Sequence, residues 1–273
     1  MTAERDVNDV RLYGIVNITK DSFSDGGRYL AADAAIAHAK RLFDDGADVV
    51  DLGPASSHPD AESVTPDEEV RRLQPVMHTL RQEGIPFSID SFHPQTQKAA
   101  AEAGAVALND IQGFGHLDQL QWLREHPQLD LVVMHSVQRQ GIATRVHTDA
   151  NGIVDVVTAF FEERLAALQQ LGVAKERLWL DPGMGFFLGN TPDVSVAVLR
   201  GIPQLQQVHS QVYISVSRKS FLRALADCDV DDVGPPTLAA ELFALRQGAR
   251  AIRTHDVGAL RRAWAVDRAC AGV

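Results

Sequence analysis

Two hydrophobic rhythms alternate along the chain. Short runs rich in β-branched and aliphatic residues recur eight times: LYGIVNI from Leu12, ADVVDLG from Ala47, FSID from Phe87, AVALND from Ala105, LVVMH from Leu131, LWLDPG from Leu178, VYISVS from Val212 and AIRTH from Ala251. Runs of this length and composition, bounded by turn residues, predict buried strands. Between most of them lie longer stretches whose apolar residues return every three or four positions. In residues 32–45, Ala35, Ile36, Ala39, Leu42 and Phe43 share one face, and residues 154–171 and 238–246 keep the same spacing. That period predicts amphipathic helices. Strand then helix, repeated eight times, predicts an α/β fold of the (β/α)8 TIM-barrel type, one domain over residues 1–273. A doubly wound sheet usually has fewer strands, and no G-x-G-x-x-G follows the first run.

The polar residues that end these runs change the picture from fold to function. In order they are Asn17, Asp51, Asp90, Asn109 with Asp110, His135, Asp181, Ser217 with Arg218 and Lys219, and Arg253 with His255. A barrel enzyme builds its active site at the C-terminal ends of its strands. One polar residue after a strand is an ordinary loop start or helix cap. Eight in succession, mostly ionisable or amide, point to a site.

Three stretches carry candidate chemistry. The first, NITKDSFSDGG at residues 17–27, has hydroxyls and amides beside two glycines. It suits an anionic substrate or its metal, although Ser22, Ser24 and Asp25 also suit helix capping. The second, DPGMGFF at residues 181–187, opens with a carboxylate at a strand end. An inward carboxylate can accept two N–H groups from the edge of a heterocycle, and Asp90 and Asn109 can hold further ring edges. The third is the pair SVSRKSF and RTHD, where Ser217, Arg218, Lys219, Arg253 and His255 stand after the seventh and eighth runs. Barrel enzymes frequently bind phosphate at those two loops. The fork of Arg and the point charge of Lys suit a phosphate beside an electron-rich ring.

Composition narrows the classes. The 273 residues slightly exceed the roughly 250 of one barrel. With 26 Lys+Arg against 36 Asp+Glu, the net charge is −10, which argues against a nucleic-acid partner. No apolar run is long enough for a membrane span and no signal peptide is apparent, so the expected location is the cytoplasm. Cys228 and Cys270 stand in no C-x-x-C spacing and are expected as free thiols. His58, His93, His116, His135 and His147 lack the H-E-x-x-H spacing, so no zinc site is expected.

NITKDSFSDGG, FSIDS, LND, LDPG, SVSRKS and RTHD, in this order, resemble the motifs of the dihydropteroate synthases. VVDLGPASSHPDA, SIDSF, LNDIQGF, VVMHS, QRQGIATR, DPGMGFF and SVSRKSF are most similar to the sulfonamide-insensitive, plasmid-borne branch of that family. The resemblance implies condensation of (7,8-dihydropterin-6-yl)methyl diphosphate with p-aminobenzoate, giving 7,8-dihydropteroate and diphosphate. It implies Mg2+ as cofactor, a homodimer, and p-aminobenzoate use that persists in the presence of sulfonamides. It carries Asn17 to magnesium and diphosphate contact, Asp90, Asn109, Asp181 and Lys219 to the pterin, and Arg253 and His255 to the diphosphate. Arg253 is also carried to a stacking position on the pterin. Ser57 and Met134 are carried to substrate contact. Ser217, Phe186 and Phe187 are carried to the p-aminobenzoate pocket, with Phe187 as the gate against bulkier sulfonamides and Phe186 as the wall. The chain departs from ordinary synthases at Lys20, where they have Pro, and at Ser57 and His58, where they have Thr-Arg. Those departures leave two alternatives: a silent pterin-binding paralogue, or a barrel that transfers methyl groups from methyltetrahydrofolate.

Overall fold

The computed structural model describes residues 10–18, 28–55, 63–138 and 146–272. Its strands are β1 (Arg11–Asn17), β2 (Val49–Gly53), β3 (Phe87–Asp90), β4 (Ala107–Asp110), β5 (Asp130–Met134), β6 (Leu178–Asp181), β7 (Tyr213–Ile214) and β8 (Ala251–Thr254). They form one sheet in the order β6-β5-β4-β3-β2-β1-β8-β7, and neighbours such as β1 and β8 run parallel. The ends of that order meet through a parallel bridge between Leu180 and Val212, where the Leu180 N–H donates to the Gln211 carbonyl at 2.8 Å. The sheet is therefore a closed (β/α)8 barrel.

The helices are α1 (Arg28–Asp44), α2 (Pro66–Gln82), α3 (Pro94–Ala103), α4 (Ile153–Gln170), α5 (Pro192–Arg200), α6 (Ile202–Val208), α7 (Ser220–Ala226), α8 (Gly234–Gln247) and α9 (Val257–Ala271). Local chemistry sets several of their starts. Thr65 accepts the Glu68 N–H at 3.3 Å, Pro66 begins α2, and Asp67, Glu68 and Glu69 fill its first turn. Acids there complement the positive end of the helix dipole. Asp256 caps α9 by accepting the Ala259 N–H at 2.8 Å.

The pattern of one helix per strand fails in three places. Between β4 and β5 the chain makes only 3-10 turns, at Leu117–Gln119 and Gln121–Glu125. After β6 and β7 the chain makes two helices each, because Gly201 with Pro203 and the left-handed Asp227 (φ 48°) interrupt them.

Strand alternation divides the apolar residues into two sets. Tyr13, Val49, Ala107, Val132, Trp179, Tyr213 and Ala251 form one buried cluster inside the barrel. Their neighbours, such as Val50, Leu108, Leu180 and Ile252, join the larger cluster beneath the helices. Truncating one of those, Leu108→Ala for example, removes about 2–5 kcal/mol. Among the described residues no helix is long and apolar enough to cross a membrane. Cys228 and Cys270 are unpaired.

Candidate active site

Side chains two apart on a strand share a face. One step beyond the inner cluster, Val49 is followed by Asp51, Ala107 by Asn109, Trp179 by Asp181 and Ala251 by Arg253. Register brings the intervening strands to the same level: Asp51 pairs with Ser88, Asn109 with Asp90, and Asp181 with Met134. The polar layer therefore sits directly on the apolar plug, at the C-terminal mouth.

A three-member ion cluster lies at its centre. Arg253 donates from Nε to Asp51 Oδ2 at 2.5 Å and from Nη2 to Asp90 Oδ2 at 2.9 Å. Asp51 is fully buried, and its other oxygen accepts the Ser88 hydroxyl at 2.5 Å. Burial opposes the Arg253 charge, but the two carboxylates outweigh it and hold its pKa above the ordinary value. Burial pushes Asp90 up to about 6, with Arg253 working against the shift and Asp51 adding to it. Burial likewise pushes Asp181 up to about 7, against the Gly183 N–H and the charges of Lys219 and Arg253. Burial and the neighbouring Arg253 lower the Lys219 ammonium.

These groups face one pocket, lined by Asp90, Asn109, Met134, Asp181, Phe187, Lys219 and Arg253 among others. The Asn109 Oδ1 is buried there with no partner among the described residues. A buried acceptor left open is costly, and one aimed at a pocket marks a place for a ligand's donor. Asp181 Oδ1 accepts the Gly183 N–H at 2.8 Å, and among the described residues Oδ2 takes no hydrogen bond, open to a heterocycle edge. Gly183 has φ +72°, and a Cβ on it meets the His135 carbonyl oxygen at 2.4 Å, so the turn after β6 requires glycine. Lys219 lies over the Phe187 ring at 5.2 Å, within cation–π range.

The remaining expected residues fall at the rim or outside it. Phe187 is buried against Ile111 and Met134, whereas Phe186 is half-buried at the edge of that cluster. Phe187 is the deeper ring and lines the pocket, whereas Phe186 is the outer ring and does not line it. Ser217 does not line this pocket; its hydroxyl lies 2.9 Å from His255 Nδ1, and Ser215 lines the pocket instead. Burial and the Arg253, Arg218 and Lys219 charges lower His255 to about 3, so its ring is neutral. Asn17 is exposed at the end of β1. Ser57, His58 and the loop at residues 19–27 lie outside the described residues. A larger cavity of about 560 Å3 lies among Arg11, Trp179 and Arg250, at the opposite end of the barrel from the carboxylates.

Sequence reasoning passed over Asp51 and Glu69. Asp51 was visible as a strand end, but its role comes from Arg253, 202 residues away. Glu69, buried on α2, accepts the hydroxyls of Ser91 at 2.6 Å and Thr96 at 2.8 Å and so braces the turn behind Asp90. No motif signals Glu69, because it falls within a run of helical acids.

Residues 13–255 match the family model described as pterin binding enzyme. The chain is 52% identical over 261 residues to dihydropteroate synthase type-2 of Escherichia coli, covering 93% of this chain and 94% of that one. It is 48% identical over 260 residues to the type-3 enzyme of the same organism, covering 95% and 98%. The structure of Xanthomonas albilineans dihydropteroate synthase with 4-aminobenzoic acid superposes with a TM-score of 0.86 at 36% identity, covering 97% of this chain and 94% of that one.

Proposed function

The chain belongs to the pterin-binding enzymes, among the dihydropteroate synthases, and on that premise we propose how its own residues carry the reaction. The C–O bond between the pterin methylene and the diphosphate breaks. The aniline nitrogen of p-aminobenzoate bonds to that carbon and loses a proton to solvent or to the departing anion.

The observation that carries the assignment is the pocket that gathers Asp90, Asn109, Asp181, Lys219 and Arg253 around the orphaned Asn109 Oδ1. Asp181 accepts the donor edge of the pterin, and Asn109 and Asp90 hold the neighbouring edge. Met134 and Phe187 pack on the flat ring, and Arg253, fixed by Asp51, stacks on it. Positive charge left on the methylene spreads into the ring, where the two carboxylates favour it. Arg253 and neutral His255 face the leaving diphosphate, where preorganised donors are the largest catalytic term. The aniline is already a nucleophile and needs positioning.

Magnesium fits this reading. It is usually held by one or two protein oxygens together with substrate phosphates and water. No group of three acidic, His or Cys residues gathers among the described residues, while Asn17 presents an exposed amide oxygen at the mouth. Asn17 would hold the ion beside the diphosphate, where the ion supplies charge stabilisation of the leaving group. The family likeness supports Ser57 as a further substrate contact, and Ser217, hydrogen-bonded to His255, would shape the p-aminobenzoate side. The family likeness supports a homodimer in the cytoplasm, read out by sedimentation and fractionation.

We further infer sulfonamide insensitivity. We place the gate at Phe186, the half-buried ring next to the Phe187 that lines the pocket: aromatic bulk there would clash with a tetrahedral sulfonyl in place of a flat carboxylate, and a pocket that clashes with the larger ligand still admits the smaller. The test of the function is diphosphate release from purified protein with Mg2+. Release must require both pterin diphosphate and p-aminobenzoate. Protein that binds the pterin and releases nothing is a silent paralogue.

A further inference from the structure

A buried set of polar side chains ties two strand ends together behind the pocket. Asp90 and Asn109 are register partners at the ends of β3 and β4, and the Ser91 N–H donates to the Asn109 carbonyl at 3.0 Å. Each strand has only four residues, so few ladder bonds hold its end. Beyond them β3 leads into α3 and β4 into the 3-10 turns. The residues that follow Asp90 and Asn109 are Ser91 and Asp110, and one side chain holds both. Gln97, fully buried on α3, donates from Nε2 to the Ser91 carbonyl at 2.8 Å and to Asp110 Oδ2 at 2.8 Å.

The partners fix which way that amide faces. A carboxamide nitrogen has two N–H donors, and both are used here. Turned over, the amide would set its oxygen against a carbonyl and a carboxylate. Gln97 Oε1 is left buried with no partner among the described residues, so the two donations are kept with the side chain's own acceptor open. The groups it holds are themselves fixed. Asp110 Oδ1 accepts the Gln112 N–H at 2.7 Å. The Ser91 hydroxyl donates to Glu69 Oε2 at 2.6 Å and accepts the His93 N–H at 3.2 Å. Thr96, next to Gln97, donates to the same Glu69 oxygen at 2.8 Å. A buried polar network joined in this way rigidifies what it touches.

We propose that Gln97 is a positioning residue for the pterin: its amide clamps the strand ends behind Asp90 and Asn109 and so sets the spacing of the two groups that meet the ring edge. That these groups meet a pterin rests on the reading of the site given above; the clamp itself does not. Gln97 does not line the pocket, so it acts only through the residues it holds. Glu69 serves the same end from α2, by fixing the Ser91 and Thr96 hydroxyls on either side of the turn that carries Gln97 into place.

The test separates pterin binding from stability. Gln97→Met keeps the length of the side chain and removes both donors. Calorimetry with Mg2+ and without p-aminobenzoate reads the Kd for pterin diphosphate, and diphosphate release reads turnover. Gln97→Met is expected to raise that Kd about five-fold or more, with the p-aminobenzoate KM within about two-fold of the parent. A role confined to stability lowers the folded fraction instead: binding stoichiometry and kcat fall while the Kd stays. An unchanged Kd in Gln97→Met therefore overturns the proposal. If that variant does not fold, Gln97→Asn, whose amide is one methylene short of both acceptors, decides by the same comparison. Asn109→Ala, which removes the pocket acceptor itself, tells two failures apart. A raised Kd there beside an unchanged one in Gln97→Met strikes the clamp alone. An unchanged Kd in both strikes the pterin reading of the site with it.

Discussion

Replacing Arg253 by Met removes the cation at the centre of the site while keeping most of its bulk. Asp51 and Asp90, now 2.5 and 2.9 Å from a guanidinium nitrogen, would face each other unneutralised. Asp51 has no exposed surface and would keep only the Ser88 hydroxyl. Breaking a buried ion pair from one side costs about 3–5 kcal/mol, because the remaining charge is buried and unpaired. The loss should depend on pH in a stated direction. Asp90 already titrates at about 6 beside Arg253; without that cation its folded pKa rises further above the unfolded value. A carboxyl raised in the folded state binds its proton there first, so the variant regains stability as pH falls. About 2 kcal/mol of the deficit should return between pH 8 and pH 5, at roughly 1.4 kcal/mol per pH unit over part of that range. Turnover should fall roughly 10²- to 10³-fold, as for loss of a preorganised donor to a developing charge. Urea unfolding at both pH values, alongside diphosphate release, measures each effect. An unchanged urea midpoint at pH 8, or a deficit independent of pH, refutes the ion cluster as described.

Asp181→Asn should weaken pterin binding by about 2 kcal/mol, near 30-fold, since an amide N–H then meets a ligand N–H; calorimetry should find p-aminobenzoate binding to the pterin complex much less affected. In the parent, pterin binding needs the ionised form of Asp181, which titrates at about 7 without ligand. Affinity should therefore fall towards tenfold per pH unit below about 7, with proton release visible as heats that vary with the buffer; constant affinity from pH 8 to 5.5 contradicts this. Phe186→Ala should lower the inhibition constant for sulfamethoxazole at least tenfold with little change in the p-aminobenzoate KM. Phe187→Ala, which empties the buried cluster with Ile111 and Met134, should instead raise the pterin KM; the opposite assignment restores Phe187 as the gate.

The strands were legible because their β-branched runs are dense and end in polar residues, and Asp90, Asn109, Asp181, Lys219 and Arg253 were visible as those endings. Helix ends were less so. Residues 238–246 carried the apolar period of α8, yet the helix begins at Gly234 with two prolines in its first turn, where the pattern is silent. β7 shrinks to Tyr213–Ile214, because closure against β6 needs only the bridge at Val212. The partners were not legible at all. That Arg253 divides itself between Asp51 and Asp90 depends on which strand parity turns inward. The different depths of Phe186 and Phe187 were hidden for the same reason: two adjacent aromatics, following Gly185 with φ +64°, are buried to different extents.

The claim that most depends on all of this is that one pocket joins the pterin methylene to the amine of p-aminobenzoate. Incubating the protein with pterin diphosphate, Mg2+ and p-aminobenzoate labelled with 15N at the amine, and weighing the product, tests it most directly. The account predicts 7,8-dihydropteroate carrying one 15N per molecule, formed one-to-one with diphosphate and lost in Arg253→Met. Diphosphate released with the hydroxymethyl pterin and no labelled product, or no release at all, would contradict it.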